Sequence, residues 1–499
     1  MSTRVLTQIE ISTYSHLKSA MELYRSQGYT KVIFPELSGV GALYGVLNYV
    51  IPVPQPNESP FIQLPPQVDF NHWTIRVVNA NSSAVPLFSI AKWSNERITD
   101  FNLTKVDVDR GDYMMCPELS SGKKLLVLTD QKEWAYRTFG NSGEPVIRHD
   151  LIVLNDGVPE NSPIAPWNTP STAMSYYYYE ANDIPIVIEN LTFKRTRYPG
   201  INGIVKFIRV DGKYDVTFRN ISMEFIESSG DITKNGDLCF EIYNSAHVKF
   251  ENITVNGTYS AENAYGYAFY LDNVYDSSFR NVIATGLWGV FGSRNINQIH
   301  LENCTLNHLG ISCYGKDVYC RECTFENTLS SFNYNQFSSI FGTLQYESCI
   351  FKSFLPALFV NAYHTYTGFD FVMISCILDG YHSEQAFINA GKVEEPQEKR
   401  RPELRKIEWP NVSITGLKPI NIPSGTTLDI FKLNEAPVNP TVNTIGYISQ
   451  ATVNYGIWTA EDKVKYPSVI VGSSAASSNL TFRLSNYTNS LVFDNTFIL

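Results

Sequence analysis

Ile186-Val-Ile-Glu-Asn190-Leu-Thr-Phe193, Val216-Thr-Phe-Arg-Asn220-Ile-Ser-Met223 and Val248-Lys-Phe-Glu-Asn252-Ile-Thr-Val255 share one pattern. Alternating apolar residues lead to a polar turn residue, and a second apolar run follows. The pattern returns at Ser277-Ser-Phe-Arg-Asn281-Val-Ile-Ala284, Ile299-His-Leu-Glu-Asn303-Cys-Thr-Leu306 and Val318-Tyr-Cys-Arg-Glu322-Cys-Thr-Phe325. It continues at Leu344-Gln-Tyr-Glu-Ser348-Cys-Ile-Phe351, Phe371-Val-Met-Ile-Ser375-Cys-Ile-Leu378 and, in degenerate form, Ile407-Glu-Trp-Pro-Asn411-Val-Ser-Ile414. Successive turn residues lie 30, 32, 29, 22, 19, 26, 27 and 36 positions apart, the lengths of single solenoid coils with loops of variable size. Alternation with period two means strands. A strand, a one-residue polar corner and a second strand is the geometry of a parallel β-helix, whose coils stack at the ~4.8 Å spacing of paired strands. The corner residue takes left-handed backbone angles, which Asn tolerates better than most, and stacked Asn side chains can hydrogen-bond along the axis. The Asn-x-Ser/Thr triplets at these corners are therefore read as turn chemistry.

Composition agrees. Of 499 residues 43% are hydrophobic, 13% aromatic and only 18% charged, which suits strands and excludes a disordered chain. A net charge of −10 argues against non-specific contact with nucleic-acid phosphates. No P-loop, no GxGxxG after a strand, no HExxH and no Ser/His/Asp spacing is found. Met1–Ser12 lacks a signal-peptide core, and Val40–Val53 is too short and too polar to span a bilayer. Four of the eight cysteines, Cys304, Cys323, Cys349 and Cys376, directly follow turn residues and should form an internal column of reduced thiols; Cys320 should also be core. The CxxC at Cys320–Cys323 has no second ligand pair, so no zinc site is expected.

Ile9–Gln27 reads as a helix whose apolar face is Leu17, Ala20, Met21 and Tyr24, with Gly28 closing it. Such a helix would cap the first coil. This helix, Gly28-Tyr-Thr-Lys-Val-Ile-Phe-Pro35 and the strands at Tyr49–Val53 and Trp73–Val78 resemble the opening of the pectate-lyase-like superfamily of right-handed β-helix proteins, which includes many phage tailspikes and polysaccharide hydrolases. With the coils, the resemblance covers roughly residues 9–415. Where that family carries Gly-x-Tyr this chain has Glu36-Leu-Ser-Gly39, and it lacks the clustered Asp of a calcium site, so no metal or cofactor is expected. The resulting division is a capping helix (1–30), first coils (31–105), a small β insertion with a Tyr/Pro-rich loop (106–182), the main parallel β-helix (183–415) and a C-terminal β cap or oligomerisation region (416–499). Within the insertion, Val108–Tyr113, Lys124–Leu128, Trp134–Phe139 and Asp150–Leu154 read as strands. Tyr176–Tyr179 falls in the loop, as a sugar-stacking platform, a packed segment or a subunit contact. Lys392–Lys406 reads as a solvated linker.

The resemblance implies a virion-associated, tailspike-like protein that binds and hydrolyses a bacterial surface polysaccharide, assembled as a homotrimer with other virion proteins. The alternative is a non-enzymatic spike, fibre or baseplate scaffold. The lack of a secretory signal favours a virion part, since virions assemble in the cytoplasm. The apolar Leu491–Leu499 is expected to be buried between subunits.

Chemistry on such a scaffold needs outward columns. Ile208-Arg-Val-Asp-Gly212, Phe240-Glu-Ile-Tyr-Asn244 and Phe269-Tyr-Leu-Asp-Asn273 align without gaps, giving outward columns Arg209/Glu241/Tyr270 and Asp211/Tyr243/Asp272, with Arg294 on the next coil. Glu241 and Asp272 then lie one coil apart and two residues offset, on the order of 8 Å between backbones. An inverting glycosidase needs two carboxylates ~6.5–9.5 Å apart, one to protonate the leaving oxygen and one to activate water. Glu241 and Asp272, with Asp211 as a second diagonal, are the candidate catalytic groups. Arg209, Tyr243, Tyr270 and Arg294 are the candidate sugar contacts.

Overall fold

The computed structural model describes residues 2–37, 45–51, 61–80, 85–90, 97–104, 108, 110–137, 144–164, 174–197, 205–227, 238–257, 267–286, 289–291, 294–307, 309–311, 315–326, 335–337, 340–353, 358–360, 368–380, 388–390, 403–410, 413–415, 428–429, 431–433, 444–449, 452–453, 469–471, 480–485 and 491–493. They fall into two compact units, Met1–Gln131 with His149–Gly292, and Lys132–Arg148 with Ser293–Leu499. Each is built from coils of a right-handed parallel β-helix.

The first unit opens with β1 (Thr3–Val5) and two helices, α1 (Gln8–Ile11) and α2 (Tyr14–Ser26). One helix was expected here. Two form because Thr13 acts as an N-cap, its hydroxyl accepting from the His16 N–H, after Thr7 and Glu10 have made a capping box for α1. The apolar face is as expected, with Leu17, Ala20, Met21 and Tyr24 buried. The Tyr49 hydroxyl ties α1 to the first coils by donating to the Ile11 carbonyl.

The strands that follow are β2 (Lys31–Ile33), β3 (Val46–Ile51), β4 (Ile62–Gln63), β5 (Gln67–Asp69), β6 (Thr74–Ala80) and β7 (Val85–Ser89). Then come β8 (Lys123–Arg137), β9 (Glu144–Asn155), β10 (Val158–Pro159), β11 (Met174–Glu180), β12 (Ile186–Arg197) and β13 (Val205–Asp211). The last are β14 (Tyr214–Glu227), β15 (Leu238–Tyr243), β16 (Ala246–Asn256), β17 (Tyr267–Arg280), β18 (Ile283–Thr285) and β19 (Gly289–Phe291).

Apart from β8–β11, parallel pairing stacks these into three walls. One wall aligns Val32, Val68, Ile188, Phe218, Phe250 and Phe279. The second aligns Leu47, Ile75, Phe193, Met223, Val255 and Ala284. The third aligns Ile62, Phe88, Ile208, Phe240, Phe269 and Phe291. Inside, Phe218, Phe250 and Phe279 stack nearly flat, with ring centroids 5.3 and 4.6 Å apart. Between the first two walls the corner residues Asn190, Asn220, Asn252 and Asn281 have φ of 59, 55, 55 and 54°. Their side-chain amides form a ladder, each Nδ2 donating to the previous Oδ1 at 2.9–3.0 Å. The ladder starts on Asp69, whose carboxylate accepts from Asn190. The residue before each corner alternates in charge: Glu189 faces Arg219, Arg219 faces Glu251, and Glu251 faces Arg280. The first of these pairs is 2.7 Å apart.

A small antiparallel sheet, β10-β9-β8-β11, lies beside these coils. Two expectations fail in this region. Val108–Tyr113 is not a strand, because Gly111 turns the chain at φ 69° and a short 3-10 helix follows at Tyr113–Met115. The Tyr176–Tyr179 run is not a loop but the body of β11, paired with Leu125–Leu128 of β8. Its alternation sorts the rings. Tyr178, with Tyr176 beside it, packs with Leu126, Leu128, Ile152 and Leu154, while Tyr179, with Tyr177, packs with Leu125, Val127, Leu151 and Val153 against Ala246 and Tyr275 of the coils.

The second unit repeats the plan. Ile299, Val318, Leu344, Phe371 and Ile407 align in one wall, Leu306, Phe325, Phe351, Leu378 and Ile414 in another. Corner residues Asn303, Glu322, Ser348 and Ser375 all have φ near 52–54°. The charge alternation recurs as Glu302, Arg321 and Glu347. The described strands beyond residue 415 extend the same parallel stack, through Thr444–Ser449 and Leu480–Ser485. Cys304, Cys323, Cys349 and Cys376 are buried, as is Cys320; Cys313, most of Lys392–Lys406 and residues 494–499 lie outside the described residues.

Candidate functional site

The columns proposed from the alignment are in register. Arg209 pairs with Glu241 and Glu241 with Tyr270; Asp211 pairs with Tyr243 and Tyr243 with Asp272. They lie on the outer face of the third wall because Ile208, Val210, Phe240, Ile242, Phe269 and Leu271 turn inward and are fully buried. The alternation is broken just before the site on each strand. Phe207 and Ile208 are both buried, as are Cys239 with Phe240 and Ala268 with Phe269, so the chain corners just before the site and Lys206 lands on the same outer face.

That corner changes the setting of Glu241, which was expected to be open to solvent. It is 1% exposed. Its Oε1 accepts from the Lys206 ammonium at 2.5 Å and from the Tyr243 hydroxyl at 2.7 Å. Among the described residues its Oε2 is buried with no hydrogen-bond partner. Burial, then the neighbouring Glu241 carboxylate, pushes the Tyr243 phenol far above its ordinary range, so this hydroxyl remains a donor. Tyr243 is held on its faces too: the Arg209 guanidinium lies 4.6 Å over the ring, and the Tyr270 ring is 5.7 Å away.

Asp211 is the hub of a second network. Its Oδ1 accepts from the Tyr179 hydroxyl and from Asn244 Nδ2, each at 3.0 Å, and its Oδ2 is 3.5 Å from Arg209. Tyr179 in turn accepts from Arg97 Nε at 3.0 Å, and the exposed Arg97 guanidinium lies 4.6 Å over Tyr177. Burial and then Asp211 raise the Tyr179 phenol well above its usual value, which fixes it as a donor to the carboxylate. Asn244 belongs to an inner ladder, accepting from Asn273 at 2.9 Å. Gly212, at φ 64°, lets the Tyr179 ring come down on the backbone; a Cβ there would run into the ring.

Sequence reasoning therefore found the columns and missed what covers them. Lys206, Arg97, Tyr177 and Tyr179 were not among the candidates for this site. Tyr177 and Tyr179 were visible only as a tyrosine run, and no short-range signal points from residues 97 or 179 to residue 211. Arg294 opens the strand Arg294–Glu302 of the second unit, and its side chain lies outside the described residues. Among the described residues no His/Cys/Asp/Glu group could hold a metal ion.

A comparison with solved structures meets this architecture directly. The tailspike protein of Pseudomonas phage LKA1 aligns at TM-score 0.52 and 11% identity, over 97% of this chain and 76% of that one. This chain has the fold of the phage tailspike-like parallel β-helices. Two further structures align more loosely. The A-module of a mannuronan C-5 epimerase of Azotobacter vinelandii does so at TM-score 0.36 and 7% identity, over 97% of this chain and 96% of that one. A tailspike protein of E. coli bacteriophage HK620 does so at 0.33 and 11%, over 97% and 63%. No family model and no curated protein sequence matches the chain. In this tailspike-like fold the candidate site is a composite, with three adjacent coils supplying the carboxylates and the side sheet supplying the tyrosines that cover one end of them.

Proposed function

We propose that the chain binds a bacterial surface polysaccharide along the β13–β15–β17 face and hydrolyses it there. The observation that carries this reading is the convergence of three carboxylates, two arginines laid on tyrosine rings, and Tyr270 on one outer face. A saccharide needs flat apolar rings to stack on and fixed polar groups at their rim, and this face supplies both.

The roles divide by exposure. Glu241 is shut away, so it serves by holding Tyr243 and Lys206 in place. The carboxylates left for chemistry are Asp211 and Asp272, two coils apart in one column. Their backbones are ~9.6 Å apart, just beyond the ~6.5–9.5 Å that separates the carboxyls of an inverting pair. Asp211, ringed by donors, suits the base that activates water. Asp272 suits the acid that protonates the glycosidic oxygen. Arg209, Tyr243 and Tyr270 orient the sugar. A virion-bound homotrimer belongs to the same proposal; a monomeric mass in light scattering at micromolar concentration would remove that part.

The test is release of reducing ends from a panel of purified bacterial capsular and O-antigen polysaccharides. Cleavage of at least one is expected, and Asp211→Asn and Asp272→Asn should each slow it by ~10²–10⁴-fold while binding persists. Absence of both binding and cleavage across the panel would leave the rigid-scaffold reading in its place.

A further inference from the structure

The side sheet meets the coils at a second polar cluster, away from Asp211. His247, on β16, places Nδ1 2.6 Å from the Asp276 carboxylate of β17 and Nε2 3.2 Å from Glu160. Glu160 belongs to the side sheet: it follows β10, and its backbone N–H donates to the Val153 carbonyl of β9. The imidazole thus bridges a carboxylate of the coils and a carboxylate of the sheet. Lys123 of β8 completes the bridge, 3.2 Å from Glu160, donating to the Tyr214 hydroxyl at 2.7 Å and lying 3.9 Å over the Tyr214 ring. Tyr214 and Tyr275 pack edge-on against the imidazole at 4.8 and 5.5 Å. On the strands packed here, Asp215 of β14 and Lys249 of β16 pair with each other at 3.0 Å.

An imidazole can donate to two carboxylates only when both its nitrogens carry protons. The neutral ring can donate to only one of Glu160 and Asp276, and Lys123 lies against Glu160 alone. We propose that protonated His247 is a pH-dependent latch that holds the side sheet on the coils. The same sheet presents Tyr179 to Asp211, so the latch also controls the geometry of the candidate site. That last consequence rests on the proposed function; the latch itself does not.

The direction of the pH effect follows from the environment. Burial lowers the affinity of His247 for its proton, but hydrogen bonds to Asp276 and Glu160 outweigh it, and the net shift is upward. A raised folded-state value means the stabilisation is complete below the ordinary histidine range near ~6.5 and is lost as pH rises through the raised value. The latch is closed in mild acid and loosens toward alkaline pH.

Amide exchange in the full-length chain tests this, expressed as protection factors so that the intrinsic pH dependence cancels. Protection of the β11 amides should fall about tenfold between ~pH 6 and ~pH 9, the scale of losing one charge-assisted hydrogen bond. His247→Asn keeps a residue suited to the left-handed φ of 54° and should give low protection that no longer varies with pH. Glu160→Gln leaves His247 on Asp276, removes the sheet-side charge and should also flatten the profile; it carries the test if the histidine variant does not fold. Equal wild-type protection at both pH values, or an unchanged profile in the variants, would overturn the latch. A pH-dependent latch in a chain that neither binds nor cleaves any saccharide would sink the polysaccharide reading and leave this one standing.

Discussion

Gly212 sets how closely the side sheet can approach the carboxylate face, because the Tyr179 ring occupies the place of a Cβ. Gly212→Ala is expected to lose ~1–3 kcal/mol, from the left-handed backbone and the clash together, and to shift Tyr179 off Asp211. Urea unfolding would show the first effect and the near-ultraviolet tyrosine spectrum the second. Glu241→Gln makes a contrasting case. It preserves shape but leaves the Lys206 ammonium without its counter-charge in a poorly hydrated spot, so a loss on the order of 3 kcal/mol is expected. If that variant is as stable as the parent and turnover alone falls by orders of magnitude, Glu241 takes part in the chemistry itself. At this scale the sequence is readable where a residue type answers a local demand. Asn at the corners is such a case, and even Glu322, Ser348 and Ser375 were placed correctly by position although their propensity is poorer. The burial of Glu241 was not readable. It depends on Lys206 arriving from 35 residues earlier and on Tyr243 folding back along its own strand.

Among elements, the corner ladder should behave as a chain of equal links. Asn252 donates to Asn220 and accepts from Asn281, so Asn252→Ala breaks two hydrogen bonds and places alanine at positive φ. A loss of ~2 kcal/mol is expected, whereas Asn252→Gly should cost about half of that because glycine accepts the backbone angles. Equal losses for both substitutions in chemical denaturation would assign the whole effect to the side-chain ladder. The walls of the helix were legible because their alternation survives in every coil. The side sheet was legible only in fragments. A run of four tyrosines carries no alternation of its own, and β11 finds its partner β8 roughly fifty residues earlier in the chain. The doubled burial at Phe207–Ile208, Cys239–Phe240 and Ala268–Phe269 was also hidden, since two adjacent apolar residues on a strand look alike whether or not the chain corners between them.

For the whole molecule, the thiols report on integrity. All seven described cysteines are buried, and burial pushes the Cys320 thiol well up, so a water-soluble thiol reagent should leave these seven unmodified in the native chain. Rapid modification of several thiols without denaturant would contradict the internal column. The alternating charges before the corners also constrain how the number of coils can change. Removing only the coil that bears Arg219 would set Glu189 against Glu251, like against like. Removing that coil and the next would set Glu189 against Arg280. Directly opposed like charges cost roughly 0.2–1 kcal/mol where opposite ones stabilise, so a two-coil deletion of this stretch should tolerate denaturant better than a one-coil deletion. A chain patterned in this way lengthens and shortens at least electrostatic cost by doublets of coils.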